Sequence, residues 1–234
     1  MNSFSEITIC IPAYNDEKSL YILLEEIKGY LNGMSLNPSF FIIDDGSSDN
    51  TYRIAKKFQT ENSSKYYIEV VRNSTNKGFG YTLNKVFTYP KTQWVLFLPG
   101  DNQFPAENIG LLLNQMVHAE FIIGWRKVRN DNLYRKLMSA TYNKLISFIA
   151  KRKVRDVNSI VLFKRNLLDG VLLKSNSAFI HAELFLKCTN DCLYTEVEVK
   201  HQNRKYGKAS GGKIRIVLYT IADFFQYILS LKIG

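Results

Sequence analysis

Cysteine is scarce in this chain. Only Cys10, Cys188 and Cys192 are present, so they cannot all pair with one another. Cys10 lies in an apolar strand pattern and reads as core. Cys188 and Cys192, in "CTNDC", lack partners at the spacing a zinc site needs. A disulfide scaffold and a zinc module are therefore not expected, and the composition fits a reduced, cytosolic protein. Of the histidines, His118 and His181 read as ordinary structural residues. Low-complexity tracts and internal repeats are missing. "MNSFSEITIC" has neither a basic start nor an apolar run, so it does not read as a secretory leader. Nowhere do about 20 apolar residues follow one another without interruption, so no segment reads as a membrane span.

What is present is enough apolar material for one large core. Hydrophobic residues make up 46% of 234 positions, which suits a single α/β domain. The formal charge of +10 is unevenly placed. Gly124 to Arg165 holds twelve lysines and arginines against two aspartates, which accounts for the whole excess. Such a block suggests an anionic partner: a nucleic acid, a phospholipid surface or a phosphorylated substrate. It has no interleaved aromatic platform, which argues against nucleic acid.

The pattern of elements alternates. "EITICIPAY" reads as a buried strand. Leu20, Leu23, Leu24, Ile27 and Leu31 then recur at helical spacing, with Asn15 or Asp16 as the cap. "SFFIIDD" is a second strand, followed by a helix over about Thr51 to Glu61. "YYIEVVRN", "QWVLFLPGD" and "AEFIIGWR" continue the strands, with helices in "KGFGYTLNKVF" and "AENIGLLLNQMV" between them. The spacing predicts right-handed crossovers and a mostly parallel sheet. The second half changes character: a helix with a basic face in "NLYRKLMSATYNKLISFIAKRK", a returning strand in "VNSIVLFKR", a short helix in "AELFLKCTND" and a strand in "LYTEVEVKHQNR". The last segment, broken by Asp223 and Gln226, reads as an amphipathic helix, packed on the domain or lying on a bilayer surface.

Five polar clusters, "PAYND", "DDGSSD", "NKGFG", "PGDNQF" and "GWRKVR", each follow the carboxyl end of a strand. Parallel sheets bind ligands along that edge, so the clusters point to one composite site. "NKGFG" alone is weak, since it lacks the lysine and hydroxyl that end a phosphate loop. The ordered series "IPAYND", "IIDDGSSDNT", "NKGFGYTLN" and a strand ending in "GDNQ" is more telling. It resembles the inverting family-two glycosyltransferases of GT-A fold. The later elements are similar to the dolichol-phosphate mannosyltransferase group and its bacterial relatives that load polyprenyl phosphates. The resemblance covers about Ile7 to Ser210. It implies an α/β, Rossmann-like domain over residues 1–210, with a nucleotide-sugar half (1–124) and an acceptor half (125–210). An amphipathic helix would follow over 211–234.

The resemblance also implies roles. Pro12, Ala13 and Tyr14 would line the nucleotide site, with Tyr14 stacking on the base. Asp16 would face the nucleoside, and Asp45 would bond base or ribose. Asp44 would steady its loop. An Asx turn capping the next helix is the plain alternative for either aspartate. Gly46 and Gly78 would allow close backbone approach. In the mannosyltransferase group two carboxylates and a glutamine hold a divalent metal. Here Asp101 and Gln103 match the last two, and Pro99 replaces the first. The expectation is a rebuilt site in which Asp101 and the Gln103 carbonyl hold Mg²⁺ or Mn²⁺ together with the diphosphate. Arg126, Arg135 and Ser139 would surround an acceptor phosphate. His201, Arg204 and Ser210 would lie on a loop near the donor phosphates. The catalytic set would be Asp101, Arg126 and Arg135.

A lipid phosphate is already ionised near neutral pH, so attack on the anomeric carbon would need no general base. A sugar hydroxyl would need one, and Glu183 in "HAELF" is the candidate. Glu183 reads equally well as a residue of a helix's first turn. The expected activity is transfer from a UDP- or GDP-linked sugar to a polyprenyl phosphate, at the cytosolic face of a membrane. A transferase to a glycan hydroxyl, or an inactive nucleotide-sugar-binding relative, is the alternative.

Overall fold

A computed structural model describes residues 6–34, 36–127, 133–206 and 214–230. Ser210 and the border expected near residue 210 lie outside them. The first half runs β1 (Ile7–Ala13), α1 (Glu17–Asn32), β2 (Ser39–Asp44), α2 (Thr51–Asn62), β3 (Ile68–Arg72), α3 (Phe79–Thr88) and β4 (Trp94–Phe97). Then come α4 (Asn108–Leu113), β5 (Phe121–Arg126), α5 (Leu133–Ala150), β6 (Val161–Lys164), α6 (Ile180–Cys188), β7 (Tyr194–Val199) and α7 (Ile214–Ser230).

The strands form one sheet in the order β3-β2-β1-β4-β6-β5-β7. β1 pairs in parallel with β2 and β4, β2 with β3, and β5 with β7. Among the described strands β6 alone runs against its neighbours, β4 and β5. Strand order reverses at β1, whose two neighbours are β2 and β4. The crevice beyond the carboxyl ends of β1 and β4 is the place such a sheet leaves for a ligand.

Alternation along the strands divides the core in two. Ile9, Ile11, Phe40, Ile42 and Leu96 meet the apolar sides of α1, α2 and α4. Cys10, Phe41, Ile43, Val95 and Phe97 meet α3, α5 and α6 on the other face. The five α1 residues expected to share a face are all buried. Helix α4 is shorter than its apolar pattern suggests. Beyond Leu113 the chain tightens: Gln115 and Met116 donate to the carbonyls three residues back, at 3.0 Å each.

Helix α7 packs on the domain. The rings of Phe224 and Tyr227 sit 5.8 and 5.6 Å from that of Phe179. Asp223, which interrupts the apolar run, accepts the N–H groups of Asn176 (3.1 Å) and Ser177 (3.0 Å). Leu218, Ile221, Phe225 and Leu229 recur every three or four residues and remain exposed. The helix therefore has one docked side and one open apolar stripe.

Candidate functional site

The site begins where β1 stops. Asn15 takes a left-handed turn (φ 52°) and its N–H donates to Ser47 Oγ (2.9 Å). The Asp16 N–H donates to Thr51 Oγ1 (2.8 Å), and the Glu17 N–H to Asp49 (3.2 Å). The turns after β1 and β2 are thereby stapled together. Pro12 and Ala13 are buried at the strand end, and Tyr14 is exposed beside them. Asp16 stands at the cap position of α1 but does not cap it with its side chain. Its carboxylate accepts the Tyr14 N–H (3.1 Å) and pairs with Arg204 instead. The expectation of a capping Asp16 is corrected on that point.

Asp44 and Asp45 both serve neighbouring loops. Asp44 accepts the Ser47 N–H (3.1 Å) and pairs with Arg72 (2.9 Å). Asp45 accepts Asn73 Nδ2 (2.7 Å), the Lys77 N–H (2.9 Å) and the Gly78 N–H (2.9 Å). Its own N–H donates to the Ala13 carbonyl (2.9 Å), which fixes it beside the end of β1. Gly46 is needed where it stands. It has φ 73°, and a Cβ there would lie 2.5 Å from the Thr75 carbonyl carbon. The turn that carries the two aspartates and the loop before Gly78 thus lie against each other.

The loop after β4 is drawn to the same place. The Gly100 N–H donates to the Pro12 carbonyl (3.0 Å), and a Cβ on Gly100 would crowd Ala13 Cβ at 3.0 Å. This close approach brings Asp101 next to the Tyr14–Asp16 turn. Asp101 Oδ1 accepts the Gln103 N–H (3.1 Å), and Oδ2 lies 3.6 Å from Arg204 Nη1. The segment after β7 forms a strap across this loop. The Gln202 N–H donates to the Gln103 carbonyl (2.9 Å), and Gln202 Nε2 to the Asn102 carbonyl (2.7 Å). His201 packs edge-on to Phe104 at 5.1 Å. Asn108 and Lys200 exchange two hydrogen bonds of 2.9 Å. Burial raises the pKa of Asp16 to about 6, against the pull of Arg204. It raises that of Asp101 too, opposed by the Gln103 N–H, Arg204 and Arg126.

Arg126, at the end of β5, does not stand free. Its Nε and Nη2 donate to the two oxygens of Asp156 at 2.6 and 2.8 Å, and its guanidinium lies 5.7 Å from the Phe104 ring. Asp156 stands in the sequence as one acid among basic residues, in "KRKVRD". Asn143 of α5 accepts the Val157 N–H (3.1 Å) and donates to the Arg155 carbonyl (2.7 Å). Helix α5 is thereby pinned to the loop that orients Arg126. Arg135 and Ser139 share a face near the start of α5, four residues apart. Arg135 is exposed and Ser139 half-buried.

Glu183 is buried in α6 and engaged on every side. It accepts the N–H groups of Lys174 (3.0 Å) and Ser175 (2.8 Å) and pairs with Lys187 (2.7 Å). Burial works against its charge, yet those bonds together hold its pKa below the ordinary value. His181 lies among Phe79, Phe87 and Phe97. Burial first, and Arg126 second, pull its pKa down to about 3, so it is neutral.

A divalent cation would find hard oxygen donors here: the carboxylates of Asp101 and Asp16 and the side-chain carbonyl of Gln103. No group of three His, Cys, Asp or Glu side chains gathers among the described residues. The donor set fits an ion that takes its remaining ligands from a bound diphosphate and water, as Mg²⁺ does.

Residues 8–170 match the family model described as glycosyl transferase family 2. Among curated proteins, the chain is 27% identical over 216 residues to an undecaprenyl-phosphate 4-deoxy-4-formamido-L-arabinose transferase of Aeromonas hydrophila. That match takes in 90% of this chain and 64% of the relative. The protein of the same name from Photorhabdus laumondii is 25% identical over 217 residues, with 91% and 65% covered. The chain thus spans just under two thirds of the length of these relatives. Among solved structures, mannosyl-3-phosphoglycerate synthase from Rubrobacter xylanophilus has a similar fold, with a TM-score of 0.73 at 12% identity. The likeness covers 97% of this chain and 75% of that one. Glucosyl-3-phosphoglycerate synthase from Mycobacterium tuberculosis, solved with Mn²⁺, UDP-glucose and phosphoglyceric acid, has a TM-score of 0.68 at 16% identity. There the shares are 94% and 79%.

Proposed function

The chain belongs to glycosyl transferase family 2, and on that premise we propose that it transfers a sugar from a nucleotide sugar to a polyprenyl phosphate, with inversion at the anomeric carbon. The observation that carries this reading is the meeting of two sets of charge at one rim. Acids (Asp16, Asp101) and an amide (Gln103) stand beside two arginines held by partners (Arg126, Arg204). The names of the relatives supply the acceptor class.

In this reading the base stacks on exposed Tyr14. Asp45 holds the Lys77–Gly78 loop in place as the nucleotide's floor. When bound at Asp101 and Gln103, Mg²⁺ or Mn²⁺ would offset the charge of the departing nucleotide diphosphate. Arg204 and His201, on the strap, lie over the donor phosphates. Asp156 fixes the fork of Arg126, so that its outer N–H groups meet an anion without reorganising. Arg135 and Ser139 complete the cradle for the acceptor phosphate. That oxygen is ionised before it arrives, so positioning and charge carry the reaction. Glu183 has its oxygens engaged within the fold, which favours this acceptor over a hydroxyl that needs a base.

The surface supports a peripheral place on a membrane, which this reading puts on the cytosolic face. Helix α5 exposes Tyr134, Leu137, Met138, Leu145 and Phe148 among lysines and arginines, and α7 exposes its apolar stripe. Both suit an anionic bilayer surface. Among the described residues no helix is long and apolar enough to cross a membrane.

The test is a release assay. The protein is incubated with a panel of UDP- and GDP-sugars, with and without undecaprenyl phosphate, and liberated nucleotide diphosphate is measured. Release from one donor that rises at least about tenfold with the lipid phosphate is expected. Release that responds only to a sugar acceptor, or to none, overturns the reading.

A further inference from the structure

Arg204 is seated where a cation is needed. Its Nη2 pairs with Asp16 Oδ1, and its Nη1 lies 3.6 Å from Asp101 Oδ2. One guanidinium therefore faces the carboxylates that follow β1 and β4, at the reversal of strand order. Its side chain is 18% exposed, so the contact is sheltered rather than a passing surface pair. We propose that Arg204 holds the place of the divalent cation in the free protein, so that metal and nucleotide diphosphate enter together by displacing it. This rests on the reading of Asp101 as a metal-side residue.

Three features make an exchange the natural outcome. First, a metal ion on Asp101 would set a divalent charge beside the Arg204 guanidinium, which now lies 3.6 Å from that carboxylate, and the two repel. Second, Pro99 provides no carboxylate, so a lone ion meets little negative charge beyond what Arg204 already neutralises. Third, the backbone of the strap is sewn to the Asp101–Asn108 segment without help from the Arg204 side chain. The bonds from Gln202 to Gln103 and Asn102, and the Asn108–Lys200 pair, all stay when Arg204 lets go. Arg204 Nε donates to the Tyr206 carbonyl (2.7 Å), a bond within the strap that the planar head gives up when it turns. A diphosphate gives that head a new anionic partner of the right shape. The free ion lacks such compensation and must compete with Arg204 unaided. Metal affinity is then low without nucleotide and rises with it, although no further protein ligand is added.

The experiment is a Mn²⁺ titration, read as the loss of the free-ion electron paramagnetic resonance signal. It uses the full chain, first without nucleotide and then with UDP or GDP. Without nucleotide, Arg204→Gln should bind Mn²⁺ about tenfold more tightly than wild type, with Arg204→Lys between them. Asp101→Asn should bind it less tightly than wild type. Adding the nucleotide diphosphate should tighten Mn²⁺ binding more in the wild type than in Arg204→Gln. Matching thermal melts of wild type and Arg204→Gln establish that the variant is folded. The proposal is overturned if Arg204→Gln binds Mn²⁺ no better than wild type, or if neither binds it. A protein that passes this test yet releases no nucleotide diphosphate from any sugar donor overturns the functional reading and leaves the exchange standing.

Discussion

Asp156 matters more than its neighbours in the sequence suggest. It is 5% exposed and takes both prongs of Arg126, which is 13% exposed. Removing one member of such a pair strands the other charge. Asp156→Ala should lower stability by about 3 kcal/mol, read as a fall in the urea midpoint at unchanged slope. His181 makes a second prediction, this time in pH. The folded protein keeps it neutral down to about pH 3, while the unfolded chain takes up a proton below about 6.5. More protons are bound by the unfolded state across that window, so acid favours unfolding. Stability from this residue is complete above 6.5 and falls by about 1.4 kcal/mol for each pH unit below it. Between pH 6.5 and 4 wild type should lose stability relative to His181→Leu by about 1.4 kcal/mol per unit; Asp16, whose raised pKa works the other way, is common to both and drops out of the difference.

At the scale of elements, the amino end of α3 meets a backbone from far along the chain. A Cβ on Gly80 would lie 2.2 Å from the Asn176 carbonyl carbon, with no flexible side chain to yield. Gly80→Ala should destabilise by about 2 kcal/mol and loosen the Lys77–Gly78 loop just before it. Hydrogen exchange at Lys77 and Gly78, whose N–H groups bond Asp45, would report the loosening; unchanged protection would count against it. The strands, the larger helices and the polar clusters at strand ends were readable because hydrophobic period and turn chemistry are local signals. The antiparallel sense of β6 was not readable, because it depends on pairing with β4 some 65 residues earlier. Asp156, Asn108 and the stapling of Ser47 and Thr51 to the β1 turn escaped for the same reason. Each depends on a partner distant in sequence, and one chain records no trace of the pairing. Asp16 was legible as a residue of the candidate site, whereas its tie to Arg204 was not.

For the molecule as a whole, the proposed membrane attachment would fall to the open side of α7 and the exposed face of α5. Leu218→Ser with Leu229→Ser removes apolar area from the open stripe and leaves the Phe224 and Tyr227 contacts in place. Sedimentation with anionic vesicles should fall about tenfold or more, while the thermal midpoint stays within a degree or two. Retention of vesicle binding would assign attachment to other parts of the surface.

The reversed direction of β6 gives the sheet two unlike margins. Its carboxyl end leads away from the rim that gathers Asp16, Asp101 and Arg126, toward Lys164, Glu120 and the bend at Gly170. Gly170 is exposed, has φ 74° and meets no neighbour within 4 Å. This corner is the natural address for a peptide tag or surface tether, one that would leave the opposite margin clear for the proposed lipid-borne substrate.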